Sequence, residues 1–549
     1  MSSAENHDVI IIGGGLAGLT LALQLRQQLP RLCIMVLERN AHPVPEAAHK
    51  VGESTVEIGA HYFANVIGLR EHLQQAQLRK FGLRFFFGAD TAGDLAQTSE
   101  VGATGYFAIP SYQLDRGILE NHLGERVRSQ GIEFRDACTV RDVEIRGDAQ
   151  AHGVTYLRGD QSITASARWL VDASSRASPL KRKLGLAKQN AHHVHAAWFR
   201  LGLKIDIDSW STNAAWLQRC SPPHRWLSTN HLMGPGYWVW VIPLASGSTS
   251  VGIVADPDLH PLENYNDFDK ALAWLKREQP LCAQVVEENR HLLQDFRFLR
   301  HFSHDCEKVY SADRWALTGE AGVFLDPFYS PGSDFIGISN TYITDLISRD
   351  IAGEHIAARA NVYEQLYMSF YRSTLALYEG QYPLFGNLPV MSVKIIWDYA
   401  YYWGVLAPLF ISGKLTELNF MARLRSGLQG AQQLNIRMQQ FFRDWHAACP
   451  TSAAASHVDQ AKIDWLAQLN RELVCGEEDE RLRTRIERNL HMLDELVAEI
   501  VDEVTSRYPG VDVEGLPVAR RERPYLGDVL ASLLPAAAST VKPELRSLR

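Results

Sequence analysis

Residues 9–12 form an unbroken apolar run that stops at the glycines Gly13, Gly15 and Gly18, and residues 16–25 resume as an apolar stretch of helical length. A short apolar run bounded by turn residues predicts a buried parallel strand, and the stretch after the glycines predicts a helix. A second run at 34–37 ends in Glu38, so residues 1–40 predict a β-α-β unit. A basic, glycine-bearing turn at 49–63 leads into a helix reaching about residue 78, and 79–90 predicts a strand entering a loop. Leu114, Ile118, Leu119 and Leu123 repeat with the helical period across 111–130. Runs at 132–134, 140–145, 153–157 and 163–171 predict the strands that complete this first domain.

From about 190 to 305 the pattern becomes rich in β-strand, with helix-like stretches at 266–298, which predicts a second sheet walling a substrate pocket. Residues 315–351 return to the first domain, and beyond 352 the period is helical, with a Glu/Arg-rich solvated face at 471–506. The chain thus reads as α/β. A Rossmann-type domain spans 1–185 and 306–351, a β-rich substrate domain 186–305, and a helical C-terminal region 352–549. The most apolar segment, 390–412, is interrupted by Lys394, Asp398 and Pro408, so a membrane-spanning helix is not expected. A buried helix and an aromatic docking face both remain open for it.

Of the 549 residues, 46% are hydrophobic and 21% charged, and the net charge of −8 with no basic stripe excludes a nucleic-acid partner. Thirteen tryptophans suit a pocket for a flat substrate. The seven cysteines, at 33, 138, 220, 282, 306, 449 and 475, lack any CxxC pair. Such a scatter predicts reduced thiols in a cytoplasmic protein and no zinc site or other metal centre.

Glycines at 13, 15 and 18 allow a tight turn, close approach of backbone to a pyrophosphate, and close helix–strand packing. The following helix N-terminus offers unpaired N–H groups and a positive dipole end to phosphates. Glu38 is placed to accept hydrogen bonds from a ribose 2′-OH, so the unit predicts binding of an ADP moiety.

Further motifs join this turn. They are GEST within 50–55, LVDASSR at 170–176, WVWVIPL at 238–244 and WALTGEAG at 315–322. Lys80 precedes an aliphatic, a basic and a phenylalanine residue, Leu83, Arg84 and Phe85. Together they resemble the flavin-dependent halogenases, a branch of the two-domain FAD monooxygenases, on the phenol- and pyrrole-type side. The likeness covers roughly residues 5–350, and the remainder resembles only the helical extensions such enzymes carry.

The resemblance implies an enzyme whose FAD, reduced by a separate flavin reductase, reacts with O₂ to give a hydroperoxide that oxidises chloride or bromide to hypohalous acid. The acid passes down a tunnel to Lys80, which delivers it to an electron-rich carbon as a hydrogen-bonded acid or a haloamine. Phe81, Phe85, Phe86 and Phe87 would supply an apolar setting that lowers the lysine pKa; otherwise Lys80 is an ordinary surface lysine. Trp238 and Trp240 wall the flavin from the substrate, or are plain core. Tyr237 stands where the family has glycine, with Gly236 one residue back, which puts the local strand geometry in question.

FAD contacts are implied for Gly52, Glu53, Arg116, Gly319, Glu320 and Asp326. Arg116 could equally be solvated, Glu53 a helix N-terminal acid, and Asp326 a turn residue before proline. Ser330 is implied as catalytic. Backbone N–H groups of Ser330, Gly332 and Ser333 are suited to hold the halide, with Gly332 permitting an anion-binding turn. Tyr329 replaces the glutamate that tryptophan-modifying members carry, so a phenol, pyrrole or aryl polyene is expected, free or tethered to a carrier protein. Two other readings stand beside this one: an FAD-dependent aromatic hydroxylase, and a non-catalytic flavoprotein partner docking through 390–412.

Overall fold

The computed structural model describes residues 5–46, 51–88, 93–147, 150–449, 456–517 and 524–534. Positions 49–50 of the basic turn, 89–90 of the strand-and-loop segment and the chain beyond 534 lie outside the described residues.

The first sheet has the strand order Glu133–Arg135, Ile34–Leu37, Glu5–Ile12, Gln161–Asp172, His152–Arg158, Cys138–Glu144, with Trp315–Leu317 also beside Gln161–Asp172. Its centre is parallel: Val9 pairs with Ile34 on one side and Trp169 on the other. Both faces are covered there, which is why residues 9–12 are apolar without alternation and fully buried. Helix Leu16–Gln28 follows the glycine turn and packs beside the long helix Gly332–Ile351.

The second sheet has eight strands, ordered Leu293–Leu299, His195–Leu201, Thr249–Ala255, Tyr237–Pro243, Thr229–Gly234, Leu83–Phe87, Ser99–Gly102, His457–Asp459. It therefore takes two strands from before residue 186 and one from the C-terminal region, so the interval 186–305 does not contain it. Within 266–298 only Phe268–Glu278 and Pro280–Glu288 are helices of any length. Residues 293–299 are instead an edge strand, because antiparallel pairing with His195–Leu201 satisfies their backbone. The helix expected to reach residue 78 is broken into Glu57–His61, a π turn at Tyr62–Val66, and Arg70–Ala76. Gly68, at φ +73°, makes the break.

Every residue of the helix Leu388–Tyr401 is buried, and its two charges, Lys394 and Asp398, pair with each other at 2.6 Å. The segment 390–412 is thus a buried helix and not an exposed face for a partner or membrane, while its Tyr399 and Trp403 line interior cavities, which leaves the substrate-docking sense of the other reading open. Among the described residues no helix is long and apolar enough to cross a membrane, and none of the cysteines forms a disulfide.

Candidate active site

The glycine turn is dictated by close packing. Gly13 sits at φ +108°, and a Cβ on it would lie 2.5 Å from the Ala173 carbonyl oxygen, within the LVDASSR segment. A Cβ on Gly18 would lie 1.9 Å from the Gly13 carbonyl oxygen. Gly15, by contrast, faces open space at the start of helix Leu16–Gln28, which no side chain caps. Room and unpaired N–H groups coincide there, as a pyrophosphate requires. Glu38 accepts the N–H of Gly14 and the N–H of Asn40, each at 2.7 Å, which holds its carboxylate beside the turn.

Beyond the turn lies a partly open cavity. Gly52, Glu53, Arg116, Gly319, Glu320, Asp326, Trp238, Trp240, Ser330, Gly332 and Ser333 all line it. Arg116 opens the helix Arg116–Ser129, donates to the Val51 carbonyl at 2.7 Å and keeps a buried Nε without a partner. Burial pulls its guanidinium down to about 10. Glu320 follows strand Trp315–Leu317 and accepts from Ser175 Oγ. Open space at Gly15, this cavity and the orphaned guanidinium nitrogen fit a dinucleotide with a planar ring system.

Glu53 does not present a spare carboxylate to that cavity. Its Oε1 accepts from Arg200 Nη2 at 2.6 Å and Nε at 2.9 Å, while Arg200 Nη1 donates to Asp295 at 2.7 Å. Nor is it a helix N-terminal acid, since the nearest helix begins at Glu57. This buried triad ties the GEST turn to the outer sheet. Arg200→Met is expected to cost about 3 kcal/mol by removing the one cation buried between the Glu53 and Asp295 carboxylates, read as a lower unfolding midpoint in urea.

Asp326 is both a turn residue and a network residue. Its Oδ1 accepts the Phe328 N–H at 2.9 Å, and its Oδ2 takes His192 Nε2 and Tyr382 Oη, each at 2.7 Å. Tyr382 Oη also accepts from the Trp238 indole at 3.0 Å, which fixes that wall of the cavity, and Trp240 Nε1 donates to Ser250 Oγ at 3.0 Å. The carboxylate is therefore turned toward His192 and Tyr382. The Tyr237 departure is harmless. Gly236 takes φ +77° in the hairpin, and the strand register from Tyr237 to Pro243 is regular.

The expected halide turn is built differently. Ser330, not Gly332, adopts the left-handed conformation, at φ +58°, and its N–H is already donated to the Pro327 carbonyl at 2.9 Å. Gly332 and Ser333 instead begin the helix Gly332–Ile351, where first-turn N–H groups have no intrahelical acceptor.

Lys80 is buried, with 3% of its surface exposed, so the surface-lysine reading falls. Its Nζ donates to Ser54 Oγ at 2.9 Å and to the Thr55 carbonyl at 2.8 Å. Ser54 lines the large cavity and bonds Thr229 Oγ1 at 2.9 Å, so one hydroxyl separates the ammonium from that space. None of Phe81, Phe85, Phe86 and Phe87 lines the lysine cavity, and Phe86 points to the far face of its strand and packs in a separate core, as alternation requires. The walls around Lys80 are Leu83, Phe107, Ile109, Tyr399 and Trp403.

Burial pulls Lys80 down to about 7, against the pull of Glu57 and Asp334. Burial also pushes Asp334 up to about 8 and raises Glu57. Burial disfavours the charged form of all three groups, and the attraction between the amine and the two carboxyls opposes it. Asp334 Oδ1 accepts the Gly59 N–H at 2.7 Å and Oδ2 the Tyr402 hydroxyl at 2.8 Å.

A second cavity shares Pro331 and Phe335 with the first, and Val56, Leu83 and Tyr399 with the lysine cavity. Tyr329 lines it, with its hydroxyl donated to Asp398 at 2.7 Å. Glu57, Asp334, Arg200, His192, Tyr382 and Trp403 were not picked out by sequence. Only Glu57 and Asp334 carried a signal, as acids in the first turns of helices that follow glycine turns.

Residues 6–269 match the family described as the FAD binding domain. Fold, cavity and match together define an FAD-binding flavoprotein. The flavin-dependent halogenase chlA of Dictyostelium discoideum is 26% identical over 442 residues, 74% of this chain and 71% of that protein. A 1H-pyrrole-2-carbonyl-(peptidyl-carrier protein) brominase of Pseudoalteromonas luteoviolacea is 26% identical over 363 residues, 64% of this chain and 80% of its own length. The fold resembles that of halogenase PltM, with a TM-score of 0.61 at 17% identity over 88% of this chain and 96% of the other. These relatives are named as flavin-dependent or carrier-protein halogenases, and this chain is similar to them.

Proposed function

We propose that this protein halogenates an electron-rich aromatic, with Lys80 presenting hypohalous acid to the ring. FAD, held at the glycine turn and reduced by a separate reductase, supplies with O₂ the oxidising equivalents. Gly332 and Ser333 offer the halide their first-turn N–H groups beside the Ser330 hydroxyl. Trp238 and Trp240 separate the ring system from the arene. Hypohalous acid then moves past Pro331 and Phe335, or past Ser54, toward Lys80. Two of the three ammonium N–H groups are fixed on Ser54 and Thr55, and the third donates to the oxidant.

The observation that carries this reading is a buried ammonium joined by one hydroxyl to the cofactor cavity. Tyr329 gives its hydroxyl to Asp398 and provides no counter-charge, so the ring itself must be electron-rich. A brominase and a chlorinase among the relatives are named for pyrrole on a peptidyl carrier protein, and a PltM structure contains phloroglucinol with FAD. Phenols, pyrroles and carrier-tethered forms are therefore the panel to test with a reductase, FAD, halide and O₂. Halogen isotope patterns in the product mass spectrum support the reading; hydroxylated products without halogen overturn it.

The pH dependence has a definite sign. The donating form of Lys80 is the ammonium, so product formation is expected to fall as pH rises through about 7. Glu57, Asp334 and a neutral His231 surround it, and none adds a second positive charge in that range. A rate that instead climbs above this pH would favour the haloamine route.

A further inference from the structure

Lys80 stands at the head of a hydrogen-bond chain that can run in either direction. Its Nζ donates to Ser54 Oγ at 2.9 Å, and Ser54 Oγ lies 2.9 Å from Thr229 Oγ1. Buried Gln113 turns both ends of its amide toward that second hydroxyl, Nε2 donating at 3.0 Å and Oε1 accepting at 3.1 Å. With an ammonium at Lys80 the hydrogens point from Lys80 through Ser54 and Thr229 to Oε1. With an amine they point back, from Nε2 through Thr229 and Ser54 to Lys80, so the chain supports either state. Both hydroxyls line the cofactor cavity. On its other side Lys80 lines a cavity that reaches Arg79 and Tyr106, both exposed, and has room for a water molecule. Lys80 and Ser54 thus stand between solvent and the cofactor cavity.

We infer that Lys80 and Ser54 deliver to the cofactor cavity the proton that oxidation of the halide consumes. This rests on the halogenase reading and gives Lys80 a duty upstream of the arene. Reduced FAD, O₂, a halide ion and one proton yield oxidised FAD, hypohalous acid and water. Flavin and halide each give up two electrons, the O–O bond breaks, and one oxygen ends on the halogen and the other in water. Two of the three hydrogens in those products come from the reduced flavin, and the third has to enter. The acids on the cavity wall are engaged elsewhere: Glu53 is held by Arg200, Glu320 accepts from Ser175, and Asp326 accepts from His192 and Tyr382. The Lys80 ammonium passes a proton to Ser54 Oγ as the Ser54 hydroxyl releases its own into the cavity. The amine left behind takes one back from solvent through the surface-facing cavity, and the Thr229–Gln113 arm turns round to follow each state. Burial, which pulls the lysine down to about 7, makes loss and recovery of that proton comparably easy at neutrality.

The first test leaves the arene out. Flavin-loaded protein is given a reductase, bromide and O₂, with monochlorodimedone as the trap for hypohalous acid, and hydrogen peroxide is assayed beside it. In Ser54→Ala and in Lys80→Met the share of consumed O₂ that reaches the trap is expected to fall about 100-fold, the lower end for a positioned proton donor, with peroxide in its place. If hypohalous acid stays inside the unaltered protein, the peroxide share alone decides. A lysine that acts on the arene only would leave both shares unchanged in both variants, which overturns the inference. Ser54→Thr keeps the hydroxyl and is expected to restore most of the yield; a threonine variant no better than alanine overturns the relay. A fall in His192→Gln with none in Ser54→Ala would bring the proton in through Asp326 and overturns it too. No halogen transfer from the unaltered protein to trap or arene overturns the halogenase reading itself. A flavin-free measurement reads the same bond. A hydrogen bond from a charged donor contributes more than one between neutral groups. Ser54→Ala is therefore expected to lower the urea unfolding midpoint more at pH 6, where Lys80 is an ammonium, than at pH 10, where it is an amine. Glu57 and Asp334 face Lys80 from two helices, His231 from strand Thr229–Gly234, Tyr399 from helix Leu388–Tyr401 and Arg79 from the cavity mouth. None of them is hydrogen-bonded to Ser54, so their titration is common to both proteins. An equal loss at both pH values would show a neutral amine at Ser54 throughout and overturns the inference.

Discussion

A Lys80→Met protein is expected to consume reduced flavin and O₂ at an undiminished rate while its halogenated product falls about 1,000-fold, within the range for losing a positioned proton donor. The substitution keeps the length of the stem inside the cavity and removes only the charged end, so the walls at Leu83, Tyr399 and Trp403 keep their packing. Oxygen uptake and halogen incorporation, followed on the same sample, separate formation of the oxidant from its use. A hydroxylase on this fold would keep making product.

The same variant has a second signature. Burial lowers the Lys80 pKa to about 7 in the folded protein, below the ordinary lysine value an unfolded chain would show. A basic group depressed in this way opposes folding wherever the unfolded chain is protonated and the folded one resists protonation. The penalty is complete below about pH 7 and fades as pH climbs toward the unfolded lysine value. Lys80→Met is therefore expected to raise the unfolding midpoint more at pH 6 than at pH 10. Loss of activity together with a gain of stability would mark a residue kept for its chemistry. A drop in stability at both pH values would show the ammonium to be mainly structural.

Gly18→Ala is expected to leave a folded chain that binds FAD about 100-fold more weakly. The new methyl group would stand 1.9 Å from the Gly13 carbonyl oxygen, and relieving such a clash costs roughly 3 kcal/mol. The helix that must back away is the one whose uncapped N-terminus is proposed to hold the pyrophosphate. Flavin titration followed by fluorescence quenching reads the change directly. Undiminished affinity would remove the pyrophosphate from this turn.

The glycine turn could be read from the sequence because its constraints are local: spacing, a strand before it and a helix after it. The motif residues around the cofactor cavity were legible as a set, although their individual duties were not. Glu53 looked available for a flavin but is occupied by Arg200, which lies 147 positions away, and nothing local announces such a pairing. Asp326 was similarly absorbed by His192 and Tyr382. Gly332 carried the expectation of an unusual turn because glycine adopts one cheaply, yet the strained position fell on Ser330, whose neighbours hold it there. The surroundings of Lys80 were the least legible. Its walls come from Phe107 and from the helical segment at 399–403, so periodicity showed that segment as apolar without showing what it covers.

The division of labour along the chain has a consequence for how such an enzyme can be altered. Glycine turn, guanidinium and tryptophan wall all come from the first 340 or so positions, whereas Tyr378, Tyr399 and Trp403, which line the two neighbouring cavities, come from later ones. On the proposed reading, oxidant production and choice of target are encoded in largely separate stretches of the gene. Recombining the later stretch between relatives is a route to new regiochemistry that leaves the redox machinery in place.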